Sequence, residues 1–212
     1  MKLGIDMVLR RFFMSLSLIK QRIRSYFEKR KLIKKASRNN SIVWRPLKIT
    51  NQQNIDIGKF VKIYENSRIE CYKIFKKQVL SPKLIINNNV IINNNFTALI
   101  ADECCIGENT IIAHNVSIIS ENHGIDLMSN IPFHEQELST SPIKIGKNCW
   151  IGCNVSLLPG ASLGDNCIVG AGAVVNKSFP SNTMIAGVPA KTIKRFDYIT
   201  GTWVCINDGE KE

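Results

Sequence analysis

Few side chains in this 212-residue chain could move a proton or attack an electrophile. There are three histidines, His114, His123 and His134, and seven cysteines, none in a CxxC pair. A neutral imidazole titrates near pH 6.5, so a histidine can act as a general base in a neutral cell. His123 stands out because it lies in Glu121-Asn122-His123-Gly124, shortly before Ile143-Lys144-Ile145-Gly146 and Trp150-Ile151-Gly152. His134 reads as a solvated loop residue and His114 as a corner residue. The odd cysteine count and the absence of framework spacing argue for reduced thiols and against a stapled secreted domain.

Positioning these groups requires a scaffold, and the scaffold is written as a six-residue period. Aliphatics recur at Ile57, Ile63 and Ile69, at Ile86 and Ile92, and at Ile100, Ile106, Ile112 and Ile118. The longest unbroken run is Ile145, Ile151, Leu157, Leu163, Val169, Val175. A mostly small residue follows four positions later, as at Ser67, Cys104, Thr110, Cys149, Ala161, Cys167 and Ala173. Six residues per flat face, closed at a corner, predict a triangular parallel β-helix. In that phase Cys104, Cys149 and Cys167 point inward and serve packing. Two insertions break the repeat, Tyr72–Lys83 and Ile119–Pro142, the second carrying His123 and His134. Long loops on a rigid scaffold are where chemistry is usually placed.

Charge divides the chain. Residues 1–40 carry twelve Lys and Arg against Asp6 and Glu28, a net +10, whereas the remainder is nearly neutral, with sixteen against fifteen. Apolar residues at Val8, Phe12, Leu16, Ile19, Ile23 and Phe27 predict an amphipathic helix with a basic face. Ala36–Asn40 reads as its exit and Trp44-Arg45-Pro46 as a linker. The stretch Phe12–Ile19 is followed by Lys20, Arg22 and Arg24 with no small-residue cleavage site, so it does not read as a signal peptide. It also falls short of the ~20 apolar residues of a membrane span. Basic charge mixed with aromatics suits an anionic membrane surface first, packing on the solenoid or a neighbouring subunit second, and nucleic acid a distant third. The expected organisation is a helical segment over 1–40, a β-helix over 41–195 with its loop at 119–142 and a proline-punctuated cap, and a tail over 196–212.

From Ile86 to Arg195 the chain resembles the hexapeptide-repeat acyltransferases, in the maltose/galactoside O-acetyltransferase branch and near those of surface-polysaccharide synthesis. The residues that carry the resemblance are 119–125, 141–152, 157–175 and 185–195. The resemblance implies a left-handed helix, where general crossover rules favour the right-handed sense. It implies acetyl-CoA as co-substrate without a metal, a saccharide acceptor that is plausibly lipid-linked, and a homotrimer with sites between neighbouring solenoids. The reduced thiols point to a cytoplasmic location, and the basic, aromatic-bearing residues 1–40 to a peripheral place at the inner face of the membrane. By position, His123 matches the family's catalytic histidine, Asn93 an asparagine beside the acceptor hydroxyl, and Trp150 a tryptophan near the reaction centre. Cys153, Ala171, Lys177, Lys191 and Lys194 fall where the family contacts coenzyme A. Lys191 and Lys194 stand where arginine is frequent, which keeps charge but loses the bidentate fork, and Cys153 stands where serine is common. Alternative readings are another acceptor (an amino sugar, serine or an antibiotic) and a zinc-dependent γ-carbonic-anhydrase-like hydratase on the same scaffold.

Overall fold

Each six-residue unit forms a short strand, and the strands stack into three parallel sheets. The computed structural model describes residues 2–206, with side chains from residue 19 onward except that of residue 21. Val8, Phe12, Leu16 and the end of the expected tail, 207–212, therefore lie outside what is described at side-chain level. The first sheet has nine strands and the other two six each, so the chain winds through six coils.

The sheets stack like upon like. Ile63, Ile92, Ile112, Ile151, Val169 and Ile185 form one buried column. Ile57, Ile86, Ile106, Ile145, Leu163 and Phe179 form another. In the third column, Ile49, Ile69, Ala98, Ile118, Leu157 and Val175 are in register. Here the sequence period needs correction. Ala98, not Ile100, takes the next position of the six-residue period after Ile92 and stacks on Ile69, while Ile100 pairs with Cys71. The face is two residues longer there, and both Ala98 and Ile100 are buried. The small residues of the motif, including Ser67, Thr110, Cys149 and Cys167, are buried as expected.

The corners depend on two residue types. Asn66, Asn89, Asn95, Asn109, Asn115, Asn148, Asn154, Asn166 and Asn182 all adopt left-handed backbone, with φ between 53° and 62°. Asparagine tolerates that region better than other side-chain-bearing residues. Their amides also form ladders from coil to coil, such as Asn95 to Asn115 at 2.9 Å and Asn115 to Asn154 at 3.1 Å. Where coils approach most closely the residue is glycine. A Cβ on Gly146 would sit 2.4 Å from the carbonyl carbon of Gly164.

Both ends of the solenoid are covered. The helix spans Lys2–Ser37, and its last turns bury Leu32 and Ala36 against the first coil as part of the main core. Lys35 donates to the Ile55 carbonyl and pairs with Asp56 at 3.0 Å, and the Gln52 amide donates to Glu28 at 2.8 Å. Packing on the solenoid is thus the role of residues 28–37, and the helix is not separable from the body at residue 40. Farther toward the N-terminus, Ile19, Ile23, Tyr26 and Phe27 remain about half exposed. The expected linker is instead the first corner of the β-helix, where the Trp44 amide donates to the Ile63 carbonyl at 2.8 Å. At the other end, the boundary drawn at residue 195 falls inside a strand, Lys191–Asp197. That strand pairs antiparallel with Thr202–Cys205, closing the first sheet with a hairpin packed through Phe196, Tyr198 and Trp203. The alternation in Thr202–Cys205 is too short to have announced a strand on its own.

Gly146→Ala should destabilise the protein by about 2–3 kcal/mol, in the range for overpacking, because its new methyl meets backbone that cannot rotate away. Equilibrium urea unfolding of the two proteins side by side measures this. A loss under ~0.5 kcal/mol would mean the coils can separate locally.

Candidate active site

Two edges of the prism carry the residues singled out by sequence. The edge between the first and second sheets holds Asn93, Cys153 two coils farther on and Ala171 one coil beyond that, with Trp150 close by on the first sheet. With coils ~4.8 Å apart, these residues line a stretch of that edge on the order of 15 Å long. Trp150 is 57% exposed and lies between Ile111 and Ile168 in the sheet. Asn93 donates its side-chain amide to the Ile112 carbonyl at 3.0 Å, which fixes its orientation. The Cys153 carbonyl accepts the Gly172 amide at 2.8 Å, so this corner is held coil to coil.

His123 belongs to the next edge, between the second and third sheets. Both insertions leave the solenoid there, in the second and fourth coils. Glu121–His123 pairs antiparallel with Leu138–Thr140, and Ile74–Phe75 with Gln78–Val79. The two hairpins meet. Phe75 packs edge-on against the His123 ring at 5.5 Å between centroids. Gln78 bonds both backbone groups of Leu138, donating to its carbonyl at 2.9 Å and accepting from its amide at 2.8 Å. Leu138 joins Leu80 and Ala101 in a small buried cluster flanked by Tyr72 and Phe75, and Lys76 pairs with Glu135. Beneath them, Ser120 accepts the amides of Ala101 and Asp102, and Thr140 donates to Asp102 at 3.0 Å. The rest of the long loop is tied by buried Gln136, which accepts the Asp126 amide and donates to the carbonyls of Asp126 and Ile131. The loop therefore holds His123 in one place, exposed to solvent.

Sequence reasoning missed this partnership between insertions, and it also missed Glu121. The Glu121 carboxyl is half-buried, and one of its oxygens has no hydrogen-bond partner. Burial pushes its pKa up to about 7, against backbone donors and with some help from the nearby Glu70 charge. Tyr72 is pushed up to about 12, mainly by burial with contributions from Glu70 and Glu121, so its phenol stays protonated. An acidic residue two positions before the histidine, on the same face of a strand, was the available signal.

The remaining expected positions are spread out. Lys177 lies on the His123 edge two coils farther along, its ammonium 5.6 Å from the Phe179 ring centre. Lys191 and Lys194 lie on the closing strand, Lys194 opposite Met184 and Cys205. One chain thus brings Asn93, Trp150, Cys153 and Ala171 to one edge, and His123 and Lys177 to another. Among the described residues, no group of three or more His, Cys, Asp or Glu is arranged to hold a metal.

The model of the bacterial transferase hexapeptide (six repeats) matches residues 142–177. The "Putative lipopolysaccharide biosynthesis O-acetyl transferase" of Escherichia coli K12 is 36% identical over 172 residues, covering 78% of this chain and 84% of the relative. The galactoside O-acetyltransferase of the same strain is 31% identical over 157 residues, 72% of each chain. An N-acyltransferase from Bacillus cereus, solved with dTDP and 3-hydroxybutyryl-CoA, superimposes with a TM-score of 0.58 at 18% identity. It covers 76% of this chain and 82% of that one, and at this identity the likeness speaks for the fold alone.

Glu121 sets a pH dependence of stability. In the unfolded chain it ionises near the ordinary carboxylate value, but in the folded protein it holds its proton up to about pH 7. The folded state binds more protons between those two values, so the stability this group contributes falls as pH rises through that window and levels off above it. Glu121→Gln should therefore raise the melting temperature at pH 8 while changing it little at pH 4.5. Equal shifts at both values in thermal unfolding would mean that Glu121 ionises normally.

Proposed function

The chain belongs to the hexapeptide-repeat acyltransferase family and is an acetyltransferase with the family's left-handed parallel β-helix, and on that premise we propose that it O-acetylates a saccharide of surface-polysaccharide synthesis. The donor is acetyl-CoA, in keeping with the names of the two O-acetyltransferase relatives and with the coenzyme-bound N-acyltransferase that shares the fold. The observation that carries this reading is the way two interlocked hairpins hold an exposed His123 at a prism edge. The name of the lipopolysaccharide-biosynthesis relative supports the acceptor class.

In the proposed reaction the His123 imidazole takes the proton of the acceptor hydroxyl as that oxygen attacks the thioester carbonyl. A backbone N–H at the Cys153 corner stabilises the oxyanion of the tetrahedral intermediate. Its collapse breaks the C–S bond, and the leaving thiolate receives the proton from the imidazolium. Asn93 and Trp150 orient and shield the acceptor. Lys177, Lys191 and Lys194 attract coenzyme phosphates as point charges. No side chain that could serve Cys153 as a base hydrogen-bonds to it among the described residues, which favours direct transfer over an acyl-cysteine.

Completing this site takes a second copy of the chain, because His123 and Asn93 lie on different edges of one prism. The long loop supports the same conclusion. Its tip presents Ile125, Leu127, Met128, Ile131 and Phe133 to solvent, an apolar surface suited to covering a neighbouring solenoid. We place the enzyme in the cytoplasm as a homotrimer, with its helix against the anionic inner face of the membrane. No helix among the described residues is long and apolar enough to cross one.

His123→Ala should fold normally and lose about 10²–10⁴-fold in turnover, the usual worth of a general base. Near-normal acetyl transfer to the true acceptor would remove it from the mechanism. Co-assembling His123→Ala chains with Asn93→Ala chains should restore activity in about a quarter of randomly mixed interfaces. If mixed oligomers are as inactive as either parent, both residues act within one chain. For the membrane contact, Ile23→Asn with Phe27→Asn should weaken binding to anionic vesicles roughly tenfold or more, by removing two half-exposed apolar groups. Unchanged vesicle flotation would assign that helix face to protein packing.

A further inference from the structure

A large cavity lies away from the prism edge that carries Asn93 and Cys153. It has a volume of about 1190 Å³ and lies between the N-terminal helix, the second sheet of the first two coils, and the start of the first insertion. Six cations line it: Arg22, Arg24 and Lys29 from the helix, Lys48 and Arg68 from the sheet, and Lys73 from the insertion. Only Glu28 and Glu70 oppose them, leaving a net charge of +4.

The two acids are already engaged. Glu70, whose side chain is 4% exposed, pairs with Lys48 at 2.6 Å and with Arg68. Lys48 and Arg68 are cross-strand neighbours, so a buried carboxylate fixes two cations on the cavity floor. Glu28 accepts the Gln52 backbone amide. Among the described residues Arg22, Arg24, Lys29 and Lys73 form no ion pair with a carboxylate. Like charges converging on a concave surface without counter-charge destabilise the empty protein and favour a polyvalent anion. Guanidinium and ammonium groups together suit phosphate oxygens, which offer several acceptors and more than one charge.

The cavity also points toward the chemistry. Lys73 and Ile74 form part of its wall, and the next residue, Phe75, packs on His123. At ~3.4 Å per strand residue plus a ring contact, the wall ends on the order of 10 Å from the imidazole. We propose that this cavity binds the phosphate or diphosphate of the acceptor, so that the saccharide is acetylated while carried on a phosphoryl group. This rests on the sugar-acceptor reading given above and narrows it to phosphate-bearing saccharides. Anionic lipid headgroups share this chemistry, and the test separates the two.

The variant is Arg22→Gln/Lys29→Gln/Lys73→Gln, three substitutions outside the proposed reaction centre, made in the full-length chain. Calorimetry with pyrophosphate, in saturating coenzyme A so that the donor site is filled, should show at least tenfold weaker affinity in the variant. Acetyl transfer is then compared on a free hexose and on the same hexose linked through a diphosphate to a short alkyl chain. The wild type should prefer the linked form. The variant should lose at least tenfold in kcat/KM on it while keeping the rate on free hexose. Equal pyrophosphate affinity in both proteins, or no preference for the linked form, overturns the assignment. So does a variant that loses binding to phosphatidylglycerol vesicles yet keeps its kcat/KM on the linked hexose, since the cavity would then read lipid headgroups. If neither hexose is acetylated, the sugar-acceptor reading falls, and the pyrophosphate titration alone still decides whether the cavity is an anion site.

Discussion

Everything in this protein depends on one constraint: each coil must lie directly on the previous one at hydrogen-bonding distance all the way round. Three sheets share that requirement, so the corners joining them must stack as well. A corner can stack only if it turns sharply and leaves no side chain between coils. Left-handed asparagines satisfy the first demand, at Asn95, Asn115 and Asn154 among others, and they return their side-chain amides to the same ladder. Glycines satisfy the second, since Gly107, Gly146 and Gly164 lie against the backbone of the coil that follows. With these met, the interior can only be three columns of aliphatics, with small residues where the walls converge. The six-residue period is the trace of that geometry in the sequence.

Such a scaffold is legible because it repeats. Ile145 through Val175 states the phase six times, and one irregularity cannot hide it. The solenoid, its inward cysteines, the two insertions and the N-terminal helix all followed from periodicity and charge. What escaped were features stated only once. The substitution of Ala98 for an aliphatic moved the apparent repeat to Ile100, because a face lengthened by two residues buries both. The end of the helix carried no sign that Leu32 and Ala36 seal the first coil, since a capping contact depends on what lies across it. The closing hairpin was invisible for the same reason: Thr202–Cys205 is a strand because Lys191–Asp197 is beside it.

The candidate site divides along the same line. Individual residues were readable as types in a motif, but their arrangement was not. Asn93 and His123 are 30 positions apart, and only the winding of the coils shows that they occupy different edges. Conversely, Phe75 and His123 are 48 positions apart and touch. No local pattern links them; both insertions simply leave the same edge two coils apart, and hairpins of this length bridge that gap. Gln78 then completes the union by using both ends of its amide on a single backbone residue.

This gives the insertions a division of labour that a β-helix needs. A solenoid wall is flat and its outward side chains stand in rows, which makes it rigid but poor at surrounding a substrate. Concavity has to be added at the edges. The first insertion does this twice. Its beginning, Lys73 and Ile74, walls a basic cavity shared with the helix, while its turn, from Phe75 to Gln78, supports the histidine strand. The second insertion supplies the imidazole and then extends an apolar tip beyond its own solenoid. The helix, insertion and long loop thus form a continuous rim on a scaffold that does not itself bend. Because Phe75 follows Ile74 directly, the cavity wall and the His123 ring are separated by one strand step and a ring contact. The path from the cavity wall at Ile74 to the His123 ring is therefore one peptide step and one packing contact, with no mobile segment between them.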